Sequence, residues 1–198
     1  MRPLLATLCC IAVAAVAAVD AAKIKVKAAP DPNVNFAAIK TFAWDEEPGR
    51  VIMARSKFDD PEGLKAFVDP RIRKYVAEEL VRKGKTLAAS GLPDIQLHYY
   101  VLVTINTNSQ YMGQFLPSTP YWGLPPFDAG TTALEVVTKG SLVLDAMLPG
   151  KPDQRQVIWR GIAQSTVEDT DKDAVRDKRL REAAQELIKK FPLTKQNK

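Results

Sequence analysis

Few residues in this chain can do chemistry. Among 198 residues there is one histidine, His98, so any Ser-His-Asp arrangement has to use it. No Gly-x-Ser-x-Gly nucleophile elbow accompanies it, and its place beside Tyr100 in an alternating stretch suits a structural strand histidine. The only cysteines, Cys9 and Cys10, sit in an apolar N-terminal run and leave with it if that run is removed. The mature chain then lacks the ligand set for a zinc site, a haem attachment, a disulfide framework or a thiol nucleophile. Neither a cofactor nor a metal is expected.

The acidic residues suggest chemistry less than they first promise. Glu168-Asp169-Thr170-Asp171-Lys172-Asp173 places acids at alternate positions, as a calcium loop does. With Asp169 first, however, Ala174 stands where the turn glycine belongs and Leu180 where the bidentate glutamate belongs. The run fits better as the acidic first turn of a helix, favourable against the helix dipole. Asp59-Asp60 and Glu78-Glu79 are adjacent pairs, and helical neighbours point about 100° apart, so neither pair converges as acid and base. Arg160, between Trp159 and Gly161, is an anion ligand if it and Lys40 to Trp44 build a pocket; the plainer expectation is a solvated or paired arginine between two packing positions. No catalytic residue is assigned.

One segment has the composition of a contact surface. Tyr111, Phe115, Tyr121, Trp122 and Phe127 are interspersed with Pro117, Pro120, Pro125, Pro126, Gly113 and Gly123, and no periodicity runs through them. Aromatic rings on a long loop can stack on a sugar, enter a membrane interface or anchor a protein partner. The alternative is a loop that folds back and seals the core with its rings.

The elements that must carry these residues follow from punctuation and period. Met1, Arg2 and Pro3 precede an apolar run from Leu4 to Val19, with small residues and Asp20-Ala21-Ala22-Lys23 after it. This reads as a secretory signal peptide comprising residues 1–21, cut after Ala21, with cuts after Ala17 or Ala18 as the alternatives. Lipidation at Cys9 or Cys10 is disfavoured, because Leu8 and Cys9 stand where a lipid-attachment site wants a small residue. Arg2 and Asp20 cancel, so residues 22–198 keep the net charge of +5. An exported basic domain can attract an anionic membrane surface weakly, while nucleic acid is not an expected partner.

Residues 22–27 alternate Ile24 and Val26 with lysines and read as a strand, as do residues 41–44. Residues 45–69 read as a loop with a helical turn near 62–67. Asp69-Pro70 then has the form of an N-cap followed by a first-turn proline, predicting a helix to Lys83 with Ile72, Tyr75, Val76, Leu80 and Val81 inward and Gly84 at its left-handed end. Residues 94–105 alternate without a break and predict the best-defined strand. Residues 134–147 and 156–167 predict a hairpin. A final helix, capped by Thr170 or Asp171, carries Leu180, Ala183, Ala184, Leu187, Ile188 and Phe191 on one stripe and ends at Pro192, leaving residues 193–198 to fray. The order implies one α+β domain over residues 22–192, a largely antiparallel β-sheet with two main helices packed on one face.

Several of these segments carry a resemblance. Asn35 to Trp44, Pro93 to Tyr99, Gly140 to Asp145 and Val157 to Gly161, with the helix closing on Phe191-Pro192, together resemble the domain of unknown function 4136 family over roughly residues 24–192. Its members are exported bacterial proteins, many of them predicted lipoproteins. The resemblance implies an envelope location and an α+β domain, and it brings no established activity. The expected role is a non-enzymatic periplasmic or envelope-associated binding module that meets an envelope protein or component through the aromatic loop. The alternatives are a peripheral membrane protein or lipoprotein associated with the outer membrane, and a hydrolase built on His98.

Overall fold

A computed structural model of the chain describes residues 24–54, 59–105, 138–150, 156–168 and 172–193. The leader at 1–21, the aromatic stretch at 111–127, Thr170 and Asp171 lie outside the described residues. The elements run β1 (Lys25–Pro30), β2 (Thr41–Trp44), β3 (Arg50–Ala54), α1 (Pro61–Arg82), β4 (Thr86–Leu87), β5 (Ile95–Ile105), β6 (Thr138–Met147), β7 (Val157–Thr166) and α2 (Asp173–Lys189).

All the described strands join one seven-stranded sheet in the order β1-β7-β6-β5-β2-β4, with β3 also on β5. The pairs β1–β7, β7–β6 and β6–β5 are antiparallel, whereas β2 and β3 both lie parallel to β5 and β4 lies parallel to β2. Strands β2 and β3 occupy successive stretches of the same β5 edge. Trp44 pairs with Leu97 and Arg50 with Tyr100, so the intervening residues 45–49 bulge outward opposite His98 and Tyr99. Gly49 sits in that bulge against the Tyr99 ring, which a Cβ would overlap. The expected antiparallel character therefore holds for the long strands, and the parallel pairs form where the chain crosses over through α1.

Strand β5 buries both faces. Ile95, Leu97, Tyr99, Val101 and Val103 point to the helices, and Tyr100 and Leu102 point away, where they meet Val143 and Ile162 in a second small cluster. Both helices pack on the first face. Ile72, Val76 and Leu80 of α1 and Ala184, Leu187 and Ile188 of α2 are buried against it. Burying each large aliphatic side chain contributes about 1.5–3 kcal/mol. At one end of this layer Trp159, Phe36 and Phe191 contact edge to face, with centroids 5.1 and 5.8 Å apart. A Cβ on Gly161 would lie 2.5 Å from the Trp159 ring and 2.8 Å from Leu187, so the glycine lets α2 approach the sheet there.

Three elements depart from the sequence reading. Helix α1 begins at Pro61, not at Pro70. Asp60-Pro61 repeats the Asp-Pro signature, and Asp60 Oδ1 accepts from Gly63 N at 2.9 Å. Pro70 lies inside the helix, at a cost of about 3 kcal/mol that packing on both sides offsets, with Leu64 and Val68 before it and Ile72 and Tyr75 after it in the same core. Asp69 is then no cap; it accepts from Tyr99 Oη at 2.7 Å and from Arg73 Nε at 2.9 Å. Strands β3 and β4, within or beside charged segments, carry too little alternation to show in sequence. Val81, placed in the buried stripe by its spacing, is 55% exposed, while Gly84 has the expected positive φ of 78°.

Asp94 ties the sheet's parallel side together. Its Oδ2 accepts from Lys40 N at 2.8 Å, Thr41 N at 2.7 Å and Thr41 Oγ1 at 3.0 Å, and its own N–H donates to Thr41 Oγ1 at 2.9 Å. The Thr41 and Lys40 amide bonds hold its carboxyl below the ordinary value of 3.8. A carboxyl whose value is lowered by folding stabilises the fold above its ordinary value, and that contribution is lost as pH falls through the lowered one. Asp94→Ala should lower stability by about 1–2 kcal/mol near neutral pH, a figure reduced for solvent exposure. Urea unfolding should show this deficit shrinking as pH falls below 3.8; a deficit constant with pH would rule out the carboxylate as its source.

Candidate functional site

Helices α1 and α2 run parallel. Asp177 of α2 accepts from Arg71 Nε at 3.0 Å and from Tyr75 Oη at 2.5 Å, Arg181 lies 3.7 Å from Glu78, and Lys83 Nζ donates to the Lys189 and Phe191 carbonyls at 3.1 and 3.0 Å. Numbers rise together along both helices, so the two N-termini share one end of the molecule. The Tyr75 and Arg71 bonds hold the Asp177 carboxyl below its ordinary value. At the opposite end Lys83 caps the α2 carbonyls, and desolvation lowers its ammonium value.

Between the N-terminal halves of the helices and the sheet lies a cavity of about 520 Å³. Met53, Val101, Val103, Leu142 and Ala163 form its floor, from four strands, and Leu64, Phe67, Leu180 and Ala183 its walls. The cavity exists because small side chains, Ala163 and Ala183, occupy this end of the layer, while Trp159, Phe36 and Phe191 fill the other. Charged groups gather at its rim: Asp59 and Asp60 at the start of α1, Glu168 after β7, and Asp173, Arg176 and Arg179 on the first turns of α2. Acids at the two helix N-termini complement the helix dipoles. Arg176 lies 3.9 Å from Asp173. A pocket of this size, apolar inside and polar at the rim, has the anatomy of a small-ligand site.

A second polar constellation lies on the other face of the sheet. Cross-strand pairing sets His98, Asp145 and Arg160 side by side on β5, β6 and β7. Arg160 donates to both Asp145 oxygens, at 2.6 and 2.7 Å, and the two side chains are 5% and 0% exposed. Burial pushes the Asp145 carboxyl up against the pull of Arg160. His98 Nδ1 donates to the buried Asp45 carboxylate at 3.1 Å, its ring lies 4.8 Å from Tyr100, and its Nε2 is buried with no hydrogen-bond partner among the described residues. Burial pushes the Tyr100 phenol up to about 12. These groups are inside the protein, on the face away from the cavity. Asp45, supplied by the bulge between β2 and β3, is the partner that sequence reading missed.

The residues singled out by sequence are mostly kept apart. Of the two plainer expectations for Arg160, solvated or paired, the structure shows the paired one, and Trp159 points to the helix side while Trp44 stands beyond β6 and β5, so they form no common pocket. Glu78 and Glu79 engage Arg82, and Glu78 also engages Arg181. Asp173 takes the first turn of α2 as expected, but the N-cap is Lys172, with no side-chain cap bond, in place of the expected Thr170 or Asp171; residues 169–171 of the acidic run lie outside the described residues. Among the described residues no group of three or more His, Cys, Asp or Glu is placed to hold a metal ion, and no helix is long and apolar enough to cross a membrane. Tyr111, Phe115, Tyr121, Trp122 and Phe127 lie outside the described residues. The cavity left no signal in the sequence beyond small residues, because six separate elements converge to form it.

The buried pair gives a direct test of its role. Arg160→Met leaves the Asp145 charge uncompensated and should cost about 3–5 kcal/mol in urea unfolding. Asp145→Leu combined with Arg160→Met should recover most of that loss; a double variant as unstable as the single one would show that the pair does more than compensate its own charges.

Residues 26–193 match the family described as domain of unknown function DUF4136. Among solved structures, a DUF4136 family protein from Bacteroides thetaiotaomicron is 17% identical, with a TM-score of 0.49, covering 89% of this chain and 100% of that one. A PDZ domain protein from Parabacteroides distasonis is 18% identical, with a TM-score of 0.48, over 90% of this chain and 39% of that one. The PelC dodecamer from Paraburkholderia phytofirmans is 8% identical, with a TM-score of 0.35, over 83% and 97%. No curated protein matches the sequence.

Proposed function

The chain belongs to the DUF4136 family, whose function is unknown, and on that premise we propose that it is a non-enzymatic, exported binding module of the bacterial cell envelope. The observation that carries the binding role is the cavity of about 520 Å³ between the paired helices and the sheet. Its interior offers hydrocarbon and its rim offers charge, a combination that retains a ligand without transforming it. A hydrolase built on His98 is the weaker reading. Catalysis would require that imidazole at a surface, and it is 5% exposed, bonded to Asp45 and on the other face of the sheet.

Export rests on the leader, residues 1–21, with its basic start, apolar run and small residues before Ala22. In this reading the aromatic segment 111–127 is the surface that meets an envelope partner, and the net charge of +5 adds a weak attraction to anionic lipid. The alternative, a lipoprotein held at the outer membrane, needs Cys9 or Cys10 retained.

Two measurements test these assignments. Cell fractionation with intact-mass analysis should recover a periplasmic chain beginning at Ala22 and carrying no acyl mass; a membrane-bound species keeping Cys9 or Cys10 would replace the soluble reading with the anchored one. Tyr121→Ala with Trp122→Ala should remove cross-linked partners while the unfolding midpoint stays within about 0.5 kcal/mol of the parent, the usual effect of surface substitutions. An unchanged cross-linking profile would remove the aromatic segment from the binding role.

A further inference from the structure

We infer that the interhelical cavity holds one extended, uncharged alkyl chain, laid across the strands beneath both helices. This rests on the reading of the cavity as the binding site and adds the shape and charge of its occupant. Two features select that class.

The first is the shape of the floor. Met53 pairs with Val103, Val103 with Gly140 and Gly140 with Ser165, and Ile24, one residue before the Lys25–Gln164 pair, continues the same row. All five line the cavity, so the hollow follows one cross-strand row through β3, β5, β6 and β7 to the residue before β1. Neighbouring strands lie about 4.8 Å apart, which makes the row roughly 19 Å long. Its middle is low, because Gly140 has no side chain and Ala163 stands in the next row on β7. Helix α1 stands over β3 and α2 over β7 and β1, with Leu64 and Phe67 lining the cavity from one and Leu180 and Ala183 from the other. A volume of about 520 Å³ drawn out over that length is a narrow trough, which matches an extended chain and leaves no width for a macrocycle or a second chain.

The second is that the interior offers hydrocarbon while the charges at the rim are already engaged. Of the polar groups within, Gln164 Nε2 donates to Ser141 Oγ at 3.2 Å. At the rim Asp60 caps α1 through Gly63 N, Asp173 faces Arg176 at 3.9 Å, and Asp59, Glu168, Arg176 and Arg179 each hold interactions within the protein. A charged head entering there would lose hydration without gaining a free counter-charge, or would break a contact that exists. An uncharged chain incurs neither cost and covers Met53, Val101, Val103 and Leu142, which water would otherwise meet.

The test uses the processed protein purified from its host and diphenylhexatriene, a neutral, linear fluorescent probe. Probe uptake is followed by displacement with three molecules of equal carbon number, each below its solubility or micellar limit: dodecanol, cyclododecanol and dodecanoate. Dodecanol should displace the probe at roughly a tenth of the concentration that either of the others needs. Ala163→Leu fills the middle of the trough from β7, and Ala183→Leu narrows it from α2. Each should abolish most of the probe uptake while the unfolding midpoint holds or rises, since the added carbons enter a hollow; the ligand series on the parent protein needs no variant to fold. Cyclododecanol equal to or stronger than dodecanol would overturn the extended chain, and dodecanoate equal or stronger would overturn the uncharged assignment; either result leaves the cavity as a binding site. No probe uptake, uptake indifferent to both substitutions, or unfolding caused by both would remove the cavity reading itself.

Discussion

The architecture depends on β5 being buried on both faces and paired on both edges. Its odd-numbered residues, Ile95 to Val103, meet the helix layer, and Tyr100 and Leu102 meet the second cluster on the reverse. A shift of one residue in its register would exchange these sets and bring His98 into the helix core. The register is pinned from both sides. Strand β6 pairs with β5 from Gln96 to Ile105, and β2 and β3 divide the opposite edge between them. The bulge at residues 45–49 reconciles those two short strands with one long partner, and it supplies Asp45 to the imidazole it passes.

Parallel helices on one face impose a second constraint. Their dipoles lie side by side in the same sense, an unfavourable arrangement unless charge compensates at the ends. The sequence compensates at both. Acids collect where α1 and α2 begin, and Lys83 reaches across to the terminal carbonyls of α2. Packing is graded along the same axis. The large rings, Trp159, Phe36 and Phe191, fill the C-terminal end, and Ala163 and Ala183 leave the N-terminal end hollow. Charge compensation and the cavity therefore fall at the same place, and the hollow acquires a polar rim as a by-product of helix direction.

Much of the fold was legible because its signals are local. The alternation of residues 95–105, the turn residues between β6 and β7, Gly84 and the stripe Leu180 to Phe191 each place an element within a few positions. The errors arose where two local signals competed. Asp60-Pro61 and Asp69-Pro70 are equivalent as helix starts, and only the burial of Leu64 and Val68 in the core decides for the first. Strand β3 hides in a charged segment because it draws its order from β5. The candidate site was less legible. Asp45 and His98 are brought together by a bulge, Asp145 and Arg160 by cross-strand register, and the cavity by residues from six elements, none of which has a sequence period.

Helix α2 is the last of the described elements, and it covers the sheet beside β7 and β1. Synthesis runs from the N-terminus, so the described strands and α1 exist before Ala184, Leu187, Ile188 and Phe191 arrive to cover them. Until then Trp159, Ala163 and the strand floor present apolar surface to whatever surrounds the nascent chain. Helix α2 thus closes the described core, and a chain cut before residue 172 would leave that apolar surface bare.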